Sequence, residues 1–108
     1  MKRDEPAIEA ELLEALEPVG LRELCRVCDI EAEYVIDMVE VGVIEPHAGR
    51  RPNEWRFPPH ALIRLQRAVR LRRDLSVEPA GAALALDLID EVAELRRRLR
   101  RLEGDPTI

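Results

Sequence analysis

The sequence predicts a mainly α domain built from a helix-turn-helix, a small two-stranded wing and a long C-terminal helix. Three observations lead there. Apolar residues recur at three- and four-residue spacing along most of the chain, and that period breaks once, between Gly42 and Pro59. Charged residues reach 36% against 46% hydrophobic, a balance that suits helices with long solvated faces. Aromatics make up only 3%, namely Tyr34, Trp55 and Phe57, so the core must be built from Leu, Val, Ile and Ala. With 108 residues there is one modest core, marginal alone, and pairing with a second copy is expected.

Residues 5–17 read as a first helix, with Pro6 near its start, Pro18 at its end, and Ile8, Leu12 and Leu16 on one face. Residues 21–27 form a short helix with Leu21, Leu24 and Cys28 in register. Asp29 suits the N-cap of the next helix, residues 31–41, with Glu31 and Glu33 near its positive end. Tyr34 or Val35, Met38, and Val41 or Val39 make its buried side, and Gly42 suits the position after its end. Two short helices joined by about three residues form a helix-turn-helix.

Beyond Gly42, residues 43–46 read as a short extended run and residues 47–54 as a turn. Residues 55–57 form a second extended run with both rings on one face. Pro58 and Pro59 close this wing, and Pro59 suits the first turn of a helix running to about residue 75, with Leu62, Leu65 and Val69 facing inward. Ser76 is suited to cap the last helix, which runs to about residue 103, ends at Gly104 and is roughly 37 Å long. So long a helix outruns its own domain. Gly81, Ala85, Leu88, Val92, Leu95, Leu99 and Leu102 alternate steps of four and three, the a/d spacing of a coiled coil. Ala85, Leu88, Val92, Leu95, Leu99 and Leu102 are therefore the expected homodimer seam. The expected division is 1–20 as an extension, 21–75 as the winged unit, 76–103 as the dimerisation helix and 104–108 as a tail.

The net charge of −5 is unevenly spread: residues 1–48 hold 4 basic and 13 acidic side chains, and residues 49–108 hold 13 basic and 9 acidic. The second helix of the helix-turn-helix, where a DNA reader needs donors, carries Glu31, Glu33, Asp37 and Glu40 and no Lys or Arg. DNA binding is disfavoured there, although Arg50 and Arg51 at the wing tip could touch backbone. Cys25 and Cys28 form a lone CxxC with no second pair, which reads as half-buried core thiols rather than a metal site. Neither His47 nor His60 has a visible catalytic companion, so no catalytic residue, metal or cofactor is expected. No apolar run reaches the 18 or so residues of a membrane span, and the opening Met-Lys-Arg-Asp-Glu-Pro has no apolar stretch behind it, so a cytoplasmic location is expected.

Four segments in order carry a resemblance: Val41-Gly42-Val43-Ile44-Glu45-Pro46, Trp55-Arg56-Phe57, residues 66–75 (QRAVRLRRDL) and residues 81–96 (GAALALDLIDEVAELR). Together they resemble the bacterial chaperone-modulator family of CbpM type over roughly residues 20–103. The Glu-rich start and the Arg-rich stretch 96–101 depart from it. The resemblance implies a dimeric relative of the MerR-type winged helices that binds the J-domain of a DnaJ-like co-chaperone and prevents it from stimulating Hsp70 (DnaK). Two acidic stripes fit a basic J-domain surface. Glu33, Asp37 and Glu40 share one side of the helix-turn-helix, and Asp87, Asp90 and Glu94 point away from the dimer seam. Spacing does not choose between them, and ordinary solvated faces would look the same. The alternative is a DNA-binding regulator of MerR type.

Overall fold

The computed structural model describes residues 17–104. Four helices follow one another: α1 (Leu21–Cys28), α2 (Ala32–Glu40), α3 (His60–Leu75) and α4 (Pro79–Glu103), with a single 3-10 turn at Pro52–Glu54. The helix expected over residues 5–17 lies almost entirely outside the described residues.

The α1–α2 joint differs from the expectation. Asp29 does not cap α2; it ends α1 in the left-handed conformation (φ 57°), while Glu31, in extended conformation, stands at the N-cap of α2. Asp tolerates that conformation better than most residues, and the turn lets the Ile30 N–H donate to the Cys25 carbonyl at 3.1 Å. Gly42 falls where expected (φ 85°): its N–H donates to Val39 and that of Val43 to Met38, closing α2 with a Schellman turn. Ser76 repeats the lesson of Asp29. It ends α3 at φ 58°, and Glu78 with Pro79 starts α4 instead.

In place of a two-stranded wing the described residues contain two isolated antiparallel bridges, Val19 with Phe57 and Ala48 with Arg56. Val19 and Phe57 exchange both backbone hydrogen bonds, at 2.9 and 2.7 Å. On the other side the His47 N–H donates to the Arg56 carbonyl, and the Arg56 N–H to that of Ala48. The expected run at 43–46 is not a pairing edge, because Val43 and Ile44 turn inward and are buried. Gly49 (φ 95°) is required at the tip, since a Cβ there would lie 2.2 Å from the Glu54 carbonyl oxygen. Trp55 and Phe57 do share a face. Their rings meet edge to face, with centroids 5.8 Å apart.

The core takes Leu24 from α1, Tyr34, Val35 and Met38 from α2, and Phe57 from its bridge with Val19. From α3 it takes Ala61, Leu62, Leu65 and Ala68, and from α4 only Ala82 and Leu86. Each fully buried Leu or Phe contributes about 1.5–3 kcal/mol. No charged side chain is buried among the described residues.

Candidate functional site

Burying Tyr34, Val35 and Met38 turns the opposite side of α2 outward. Glu33 and Glu40 are exposed there and Asp37 is half-exposed, and none of the three makes an ion pair among the described residues. Next to this face, a groove of about 400 Å³ runs between α2 and the elbow joining α3 to α4. Glu31, Tyr34, Arg72 and Glu78 line it along with Glu33 and Asp37. The Arg72 guanidinium lies 3.9 Å from the Tyr34 ring centroid and 3.7 Å from the Glu31 carboxylate. Glu31, Tyr34, Arg72 and Glu78 are the site residues that spacing missed, because α2, α3 and the elbow meet only in the folded chain. The one available signal was Glu31 continuing the acidic run of α2.

The second stripe is differently placed. Asp90 accepts from Arg64 at 2.8 Å and Asp87 lies 3.4 Å from the same guanidinium, whose Nε–H also donates to the Val43 carbonyl at 2.6 Å. Glu94 is held by Arg97 and, at 3.2 Å, by Arg98, and hydrogen bonds from these two arginines lower its pKa below the usual carboxylate value. All three carboxylates thus have cations of their own chain.

Beyond Leu86 the apolar residues of α4 have nothing to cover them. Leu88, Val92, Leu95, Leu99 and Leu102 are 46 to 84% exposed, Leu84 and Ile89 are comparably open, and Ala85 is half-buried at the start of the stripe. Together they form one exposed apolar line along α4.

Cys25 and Cys28 are both reduced and half-buried. Burial, reinforced by Cys25, pushes the Cys28 thiol up to about 12, and burial followed by Glu31 raises Cys25 as well. Such thiols are poor nucleophiles. No group of three or more His, Cys, Asp or Glu side chains able to hold a metal ion occurs among the described residues, and no helix there is long and apolar enough to cross a membrane. Arg50 and Arg51 are exposed in the loop between Ala48 and Arg56, their backbone N–H groups donating to the Glu54 carboxylate.

This helix order, with a joint of three residues between α1 and α2, is that of a helix-turn-helix regulator, and residues 19–104 match the family described as MerR HTH family regulatory protein. Over 78 residues the chain is 47% identical to a chaperone modulatory protein CbpM of Pseudomonas entomophila (strain L48), covering 72% of this chain and 76% of that protein. A protein of the same name from Coxiella burnetii (strain Dugway 5J108-111) is 38% identical over 92 residues, 85% of this chain and 86% of the relative. The chain belongs to the CbpM family of chaperone modulatory proteins within the MerR helix-turn-helix class.

Proposed function

We propose that the protein is a regulatory, non-catalytic chaperone modulator that binds the J-domain of a DnaJ-like co-chaperone and blocks its stimulation of Hsp70 (DnaK). Its relatives carry the name of chaperone modulators. The observation that carries the reading on this chain is the face of Glu33, Asp37 and Glu40. It occupies the helix with which a DNA reader would approach phosphate, and its charges are not spent within the described residues. A basic J-domain surface is its natural complement. Asp87, Asp90 and Glu94 serve their own fold instead, which favours the α2 stripe as the contact. The unit at 21–75 supplies the docking face, and the helix at 76–103 joins two copies in a homodimer through Ala85, Leu88, Val92, Leu95, Leu99 and Leu102. The setting is the cytoplasm. Exposed Arg50 and Arg51 favour a second reading, a MerR-type DNA-binding regulator contacting backbone with its wing.

Calorimetry with the J-domain of the cognate DnaJ-like protein tests the first reading. Reversing Glu33, Asp37 and Glu40 to Lys should weaken binding by about tenfold or more at low salt and by less at high salt. Reversing Asp87, Asp90 and Glu94 should leave the affinity of the folded fraction nearly unchanged. A gel shift on genomic fragments, with no J-domain binding, would replace this reading with the second.

A further inference from the structure

The groove beside α2 contains more than carboxylates. Tyr34 lines it, is only 4% exposed, and its hydroxyl oxygen is buried without a hydrogen-bond partner. An unpaired buried hydroxyl is unfavourable and uncommon in native folds. The hydroxyl also responds to the charges of the groove. Burial is the largest influence and raises its pKa, Arg72 lowers it, and Glu31, Asp37 and Cys28 raise it further. The stacking of Arg72 on the ring shows that this corner accepts a planar cation. Arg72 nevertheless leaves the hydroxyl unpaired and reaches Glu31 at only 3.7 Å. Glu33, Asp37 and Glu78 have no ion pair among the described residues. The groove is thus lined for positive charge, with a polar atom and three carboxylates left over.

We propose that this groove is the slot for one basic side chain, arginine or lysine, of the J-domain that docks on α2, its N–H groups donating to the Tyr34 hydroxyl oxygen and to the carboxylates of Glu33, Asp37 and Glu78. The proposal rests on the functional reading above and adds to it an anchor point, with a neutral contact that salt cannot screen. Tyr34 and Arg72 are positioning elements for that cation, and the carboxylates supply its counter-charge.

Tyr34→Phe isolates the claim, because it removes the unpaired oxygen and keeps the ring, its packing and the Arg72 stack. Free protein carrying Y34F should melt at or slightly above the wild-type temperature, since no hydrogen bond is lost on folding. Titrated calorimetrically with the isolated J-domain, the full-chain variant should bind about tenfold more weakly, the usual loss for a hydrogen bond to a charged group. That ratio should persist at high salt, unlike the effect of charge reversal on α2. Glu78→Gln should weaken binding by a smaller, salt-sensitive factor. If wild type binds the J-domain and Y34F binds equally well, the slot is wrong while the functional reading stands. If wild type does not bind the J-domain at all, the functional reading fails, and the occupant proposed for the slot fails with it.

Discussion

Arg64 is the side chain that ties three segments together. It sits on α3 with its side chain 23% exposed, and it reaches the Val43 carbonyl after α2, and Asp87 and Asp90 on α4. The bond to Val43 is the main term, because Val43 is 1% exposed and its carbonyl would lose a charged donor. Bonds of this kind contribute about 1.5–3 kcal/mol. The two carboxylates are 74% and 57% exposed, so each ion pair adds only about 0.2–1 kcal/mol. These sum to about 2–5 kcal/mol, and because one guanidinium is shared among three acceptors Arg64→Ala should destabilise by the lower part of that range, about 2–3 kcal/mol. For a domain of this size that is a melting temperature lower by roughly 10–20 °C at fixed protein concentration. Arg64→Lys retains a charge near Asp90 but cannot reproduce the forked geometry, and should lose about half as much. Urea titration followed by circular dichroism measures both, with the slope unchanged if only stability has moved. A loss below about 0.5 kcal/mol for Arg64→Ala, with Arg64→Lys indistinguishable from wild type, would refute the reasoning.

Two further perturbations follow from the apolar stripe and from the cysteines. Leu95→Glu combined with Leu99→Glu puts four carboxylates into a paired seam and should yield monomer or unfolded chain by light scattering, whereas a stable dimer would remove the stripe from the interface. With its thiol near 12, Cys28 in the folded chain should be alkylated by iodoacetamide at pH 8 about a hundredfold or more slowly than in urea. Because the folded state holds both thiols above their ordinary value of 9.0, the associated stability is complete below that pH and declines as pH rises toward 12. Cys25→Ala with Cys28→Ala should flatten that decline while J-domain binding is retained. Elemental analysis should find no stoichiometric zinc; metal near one equivalent per chain would overturn the core assignment of the pair.

The helices of the helix-turn-helix were legible because Leu24, Tyr34, Val35 and Met38 obey local three- and four-residue spacing, and Gly42 marks an end that few other residues favour. Asp29 and Ser76 were misassigned for a local reason too: the residue types that start helices also tolerate the left-handed turn that stops them. The wing was half legible. Two rings two residues apart announced an extended segment, but its backbone partner Val19 lies before α1, beyond any short-range pattern. On α4 the heptad sets Asp87 and Asp90 off the apolar stripe. It was silent about Arg64, one of several arginines stepping along α3, reaching across to both. The groove around Tyr34 was invisible for the same reason, since its walls come from α2 and from an elbow some forty residues later.

Only two side chains of α4, Ala82 and Leu86, are fixed in the core, both within its first third. Mechanically the helix is a lever, with Leu86 as its fulcrum and Arg64, gripping the next turn, as its stay. From Leu86 to Leu102 the arm is about 24 Å, so a tilt of ten degrees sweeps its tip through about 4 Å. Glu78 and Pro79, at the short end of the same lever, border the groove beside Tyr34. A tilt of the long arm would carry that short end with it, and two copies clasped along α4 would present their acidic faces at a separation and pitch fixed by the paired helices.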